Sequence, residues 1–221
     1  MREAYHEQLD DLLADLVQMS QAVSSAVRSS TTALLEADIH LAERVISEDE
    51  LLDAGQVDIE QRAFSLLARQ APVAGELRTL VAVLRMVAEL ERMGDLAAHV
   101  AKIARMRYPE TAVPGALRAN FIQMGDVAEK MVISAGQTLN DRNIQVAQEL
   151  RARDEEMDEL RRTQFRVLLS DDWQYSVEAA VDVALLGRYY ERIADHAASM
   201  ARRVIYVVTG QFPETEDWPQ P

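Results

Sequence analysis

The chain has no cysteine. That excludes disulfides, thiolate zinc sites and a cysteine nucleophile. Glycine and proline are scarce, 8 and 6 in 221 residues. No apolar run approaches the roughly 18 residues needed to span a bilayer. The opening MREAYHEQLDDLL is charged and lacks a signal-peptide core. No basic run exceeds two residues, and the net charge is −14. Nucleic-acid-binding domains carry basic patches, so direct nucleic-acid binding is not expected. Gly-rich phosphate loops, a GxSxG elbow and an HExxH motif are all missing. The compartment indicated is the cytoplasm, with peripheral contact to membrane machinery left open.

What is present points to helix. Hydrophobic residues make up 48% of the chain, enough for a core, and Ala, Leu, Glu, Arg and Met, all helix formers, are abundant. Apolar residues recur at Leu9, Leu12/Leu13, Leu16/Val17, Val23, Val27 and Leu34, which is helical spacing and predicts a first helix from Arg2 to about Leu35. Asp38 is placed to cap a second helix ending near Ala68. Pro72 marks the start of a third, which reaches about Arg107. Tyr108 to Gly115 holds two prolines and a glycine and is the clearest break. Beyond it the pattern begins again. A fourth helix is expected from about Ala116 to Leu139 and a fifth from the Asn140–Asn143 turn to about Leu169. A sixth is expected to be capped within Ser170–Asp172 and to end near Gly210. The expected fold is all-α, two tandem antiparallel three-helix bundles over 1–110 and 111–210, with a flexible acidic tail over 211–221.

The duplication is marked by acidic pairs. Glu91-Arg-Met-Gly-Asp95 returns as Glu191-Arg-Ile-Ala-Asp195, 100 residues on. Four residues along a helix turn it by about 40° net, so each Glu/Asp pair shares a face. The second helix of each half carries a further pair, Asp49/Asp53 and Asp154/Asp158. Antiparallel neighbours would bring the two pairs of each half side by side. The acids continue apolar rows: Leu77, Leu80/Val81, Leu84, Val87/Ala88 on the third helix, and Ala42, Ile46, Val57, Phe64, Leu67 on the second. Val177, Val181 and Ala184 lead the same way into Glu191. This places the carboxylates on core-facing or groove-facing stripes, where they need partners.

Two answers are open at this level. One is an internal salt-bridge network, with Arg188 placed to pair with Glu191 and Arg85 able to reach it across the bundle. The other is cation coordination. All-oxygen ligation suits Mg, Mn or Fe, and Zn less so. His99, four residues after Asp95, is a candidate accessory ligand, whereas His6, His40 and His196 stand apart from the acidic faces. Met86, Met93, Met106, Met124, Met131 and Met200 read as core filler. A ferritin-like di-metal enzyme would want two Glu-x-x-His motifs, and only Glu3-Ala-Tyr-His6 fits, at a terminus expected to fray. A metal-free helical scaffold is the remaining alternative.

LERMGD at 90–95, YERIADHA at 190–197 and the segment Gln70-Ala-Pro-Val-Ala-Gly-Glu-Leu-Arg78 resemble the signatures of the PhoU family of phosphate-uptake regulators. The resemblance runs over nearly the whole chain. It implies a non-catalytic, cytoplasmic, all-helical regulator, commonly a homodimer. Its partners would be the ATPase subunit of the phosphate ABC transporter and the sensor histidine kinase of the phosphate regulon, with negative regulation of phosphate uptake and starvation signalling. It also implies multinuclear metal clusters in some members. Carried over, the ligands are Asp49, Asp53, Glu91 and Asp95 in one half and Asp154, Asp158, Glu191 and Asp195 in the other. The chain departs from the family pattern at His99 and Ser199, where an Asn often stands, and at Leu96, where a His is usual.

Overall fold

A computed structural model describes residues 2–211. Six long helices account for nearly all of them. These are α1 (Arg2–Glu36), α2 (Ile39–Gln70), α3 (Ala74–Arg107), α4 (Arg118–Asp141), α5 (Ile144–Leu168) and α6 (Val177–Thr209). A single 3-10 turn, Gly115–Leu117, precedes α4. The acidic tail lies outside the described residues from 212 onward.

The helix ends follow local chemistry. The Asp38 carboxylate accepts the Leu41 amide at 3.0 Å and starts α2. Asn143 accepts the amides of Gln145 and Val146 and starts α5. Pro72 stands just outside α3, which begins two residues later behind Val73 in an extended conformation. The sixth helix corrects the sequence reading. Its cap is Ser176, which accepts the Ala179 amide, and not a residue of 170–172. Residues 170–176 form a turn instead. Gly210, at φ 78, closes α6 with its amide on the Tyr206 carbonyl, a left-handed cap that favours glycine.

The two triplets share one core. α1 lies antiparallel to α4, with Ser20 against Gly136, Arg28 on Glu129, and Arg118 on the Leu35 carbonyl and Glu36. α3 lies antiparallel to α6: Arg78 meets Gly210, Glu89 meets Ser199, and His99 meets Tyr189. These four helices enclose Val27, Leu90, Phe121, Met124 and Tyr190, all fully buried. α2 packs outside α3 and α1, and α5 outside α6 and α4. Thr31 donates to the Val27 carbonyl, so the Tyr190 hydroxyl donates to Thr31, at 2.7 Å, and ties α6 to α1. Five of the methionines read as core filler are fully buried, but Met106 is 59% exposed on the last turn of α3. Among the described residues no helix is long and apolar enough to cross a membrane.

Candidate functional site

In the first half, α2 crosses α3 at Gly94. A β-carbon at that position would lie 2.5 Å from Leu52 Cδ1 and 3.6 Å from the Asp49 carboxylate. The missing side chain lets α2 approach closely enough to set Asp49 and Asp53 opposite Glu91 and Asp95. Burial raises the Asp49 carboxyl pKa, and the charges of Asp95 and Asp53 add to the rise. Burial also raises Glu91, with Asp95, Asp53 and Asp49 adding repulsion against the counter-effect of Arg92. The four acids therefore feel one another as a cluster. Its neutralisation is partial: Arg92 Nε stands 3.5 Å from Glu91 and is itself mostly exposed, and Lys102 and His99 add favourable charge near Asp49. His99 donates from Nδ1 to the Asp95 carbonyl at 2.7 Å, so Nε2 is the ring nitrogen that faces away from that bond.

The apolar rows that led to these acids straddle the edge of the core. Leu80 and Val87 on α3 and Ala42 on α2 are fully buried, with Leu84, Ile46 and Leu67 packed against the core, whereas Leu77, Val81, Val57, Phe64 and Val181 are exposed. The core-facing alternative is thus overturned for the first half, where Asp53 is exposed and Asp49, Glu91 and Asp95 are half-buried. Neighbouring positions lie about 100° apart round a helix, so a row written with pairs such as Leu80/Val81 spans both core and rim.

The second half has the same acids and different neighbours. Asp154 is buried, and its carboxyl pKa is pushed up to about 6, by burial first and then by the charges of Asp195 and Asp158. Asp195 is raised for the same leading reason. Glu191, however, is gripped by Arg161 from α5 and by Arg188 from its own helix, the latter at 2.9 Å. Arg161 also lies over the Phe165 ring, 5.5 Å from its centroid. The pairing of Arg188 with Glu191 is as expected, but the partner across the bundle is Arg161 rather than Arg85. Arg161 was legible in principle, since it stands three residues after Asp158 on the same face.

The two clusters therefore differ in counter-charge. With the acidic pairs aligned, Gln56 stands where Arg161 does and Ala88 where Arg188 does. The donor set of the first half, four carboxylates and an imidazole, fits a hard or borderline cation. That of the second half already holds two guanidiniums against Glu191. In their present rotamers no three acidic or imidazole side chains among the described residues close on one point.

A further polar group lies between the halves and had no local signal in the sequence. Glu89, on α3, accepts from His196 Nδ1 at 2.7 Å, Ser199 at 3.0 Å and Arg203 at 3.2 Å, all on α6. Burial pushes the Glu89 carboxyl up, but these bonds outweigh it and hold it below the ordinary range. Farther along the seam, Arg107 Nε donates to the buried Asp182 at 2.5 Å, and its guanidinium also pairs with Glu178.

Comparison with known proteins agrees with the duplication. The model of the PhoU domain matches residues 16–104 and again 121–204. The chain is 47% identical over 219 residues to the phosphate-specific transport system accessory protein PhoU homolog 1 of Mycobacterium leprae, covering 99% of each. It is 48% identical over 213 residues to PhoU homolog 2 of Mycobacterium tuberculosis, covering 96% of this chain and all of that one. Among solved structures, PhoU from Pseudomonas aeruginosa superposes with a TM-score of 0.86 at 28% identity, over 94% of this chain and 100% of that one. With both halves matched by the family's model and relatives alike over its full length, this chain belongs to the PhoU family.

Proposed function

We propose that the protein is an accessory and regulatory component of phosphate-specific transport. The observation that carries this reading is the full-length match to proteins of that name. In finer detail, the protein is a cytoplasmic homodimer built of two repeats that meet near residue 110. It restrains phosphate uptake and starvation signalling by contact with the ATPase subunit of the transporter and with the sensor histidine kinase. It works by binding and not by turnover, because its acidic clusters stand without a nucleophile, a general-base histidine aimed at a cleft, or a phosphate loop.

Asp49, Asp53, Glu91 and Asp95 hold the cation of the first half, with His99 as an accessory ligand. Their mutual repulsion, seen in the raised carboxyl pKa values of Asp49 and Glu91, supports this assignment, since a bound cation relieves it. Asp154, Asp158 and Asp195 remain candidates in the second half, but Glu191 is committed to arginine there.

The regulatory reading is tested by deleting the gene. Phosphate-starvation genes should then be expressed in phosphate-replete medium and be silenced again by the wild-type copy. Unchanged expression in a strain lacking every related copy overturns the assignment.

A further inference from the structure

At the far end of the α3/α6 seam from Asp182, three arginines converge on a cleft of about 260 Å³. Arg78, Val81, Ala82 and Arg85 line it from α3, and Arg203 and Tyr206 from α6. Arg78 and Arg85 are seven residues apart and share one helix face. Arg78 is packed against the closing turn of α6, its Nη1 lying 3.3 Å from where a β-carbon on Gly210 would be. Arg203 is held from behind by Glu89 at 3.2 Å. That carboxylate is itself engaged by His196 and Ser199.

The charge in this cleft is not balanced from within. Among the described residues, no carboxylate pairs with Arg78 or Arg85, and the nearby Glu76 faces His6 at 3.5 Å. The Nε atoms of Arg78 and Arg203 are buried and lack a hydrogen-bond partner. A buried unpaired N–H of a charged group costs more than a neutral one, so such donors call for an acceptor. The chain as a whole carries a charge of −14, which makes a local group of unneutralised guanidiniums conspicuous. The buried Ala82 supplies an apolar floor beside the guanidiniums, which strengthens any ion pair formed there. Guanidinium forks match tetrahedral oxyanions in bidentate geometry.

We propose that the Arg78–Arg85–Arg203 cleft binds a phosphate group, either free or at the end of a small phosphoester. Arg78 and Arg85 supply the uncompensated charge. Arg203 supplies donors positioned by Glu89. The cleft opens between the two halves, so an occupant would link α3 to α6. The proposal rests on these arginines and is independent of the acidic clusters and of the regulatory reading.

Calorimetric titration of the full chain at constant ionic strength tests it. The titrants are inorganic phosphate, ATP and, as a control, sodium chloride. Saturable binding of phosphate or ATP is expected, and whichever binds more tightly identifies the source of the group. In Arg78→Ala/Arg85→Ala the affinity should fall roughly tenfold or more for each charge-assisted bond lost. Arg85 is exposed, so Arg85→Glu keeps the test sound if the double variant fails to fold, and it too should abolish binding. No saturable binding of either phosphate compound, a response equal to that of chloride, or binding unchanged in Arg85→Glu overturns the proposal.

Discussion

Asp154 is the residue whose environment conflicts most with its charge. Its carboxyl titrates near 6 in the folded chain, because burial and the neighbouring Asp195 and Asp158 disfavour the ionised form. In the unfolded chain an Asp titrates at about 3.9. Between about pH 4 and pH 6 the folded state therefore holds a proton that the unfolded state has lost. The stability this group contributes is complete below pH 4 and is lost as pH rises through 6. Two pKa units correspond to roughly 2–3 kcal/mol. Asp154→Asn in chelator should recover a stabilisation of that order at pH 8 and little at pH 4, read from urea midpoints at the two pH values. Equal effects at both would show that burial is not the cause. Asp49, Glu91 and Asp195 share the sign, whereas Glu89 has the opposite one, since its three donors favour the ionised form.

At the scale of helices, the two acidic seams are built alike and charged differently. α2 reaches α3 over Gly94, and α5 reaches α6 over Gly187, where a β-carbon would run into the Gln164 side-chain amide. Gln164 is fully buried and donates to the Val183 carbonyl, so α5 and α6 are latched there as well as packed. The seams part company at Arg161 and Arg188, which bring two positive charges to Glu191. The first seam has no such grip on its Glu: Arg92 stands 3.5 Å from Glu91 and is largely exposed, and Lys102 adds only a favourable charge near Asp49. A cation should therefore prefer the first seam. Metal analysis after reconstitution with Mn or Fe should find metal in the wild type. It should be lost in Asp49→Asn/Asp53→Asn/Glu91→Gln/Asp95→Asn and retained in Asp154→Asn/Asp158→Asn/Asp195→Asn. The reverse pattern, or a wild type that stays metal-free, would remove the assignment.

Across the whole molecule, the halves hold each other up. Val27 from α1, Leu90 from α3, Phe121 from α4 and Tyr190 from α6 are fully buried around one shared centre, with the rings of Phe121 and Tyr190 6.0 Å apart. Each such side chain contributes roughly 1.5–3 kcal/mol by leaving water. Separating the halves would expose the inner faces of α1 and α3 along with the Glu89 cluster. The full chain should unfold in a single calorimetric transition. A fragment of residues 1–110 should show no comparable transition or should self-associate. A monomeric fragment melting at the full-chain temperature would show that each repeat folds by itself.

Helix number, order and most helix ends follow from the sequence alone, because caps and breaks such as Asp38, Asn143 and the Tyr108–Gly115 segment act through bonds a few residues long. The Ser176 cap was missed because Ser170–Asp172 offered the same chemistry one turn too early. The acidic pairs were legible for a similar reason: spacing of four residues fixes a shared face. Their depth was not. Whether Leu77 or Leu80 points inward depends on the azimuth of α3, and that is set by α1, α2 and α6 packing around it. Only the tertiary structure joined Glu89 to His196, Ser199 and Arg203, more than a hundred residues away. It alone gathered Arg78, Arg85 and Arg203 into one cleft. Charge and spacing are local properties of a chain, but which charges end up unneutralised is decided where helices distant in sequence meet.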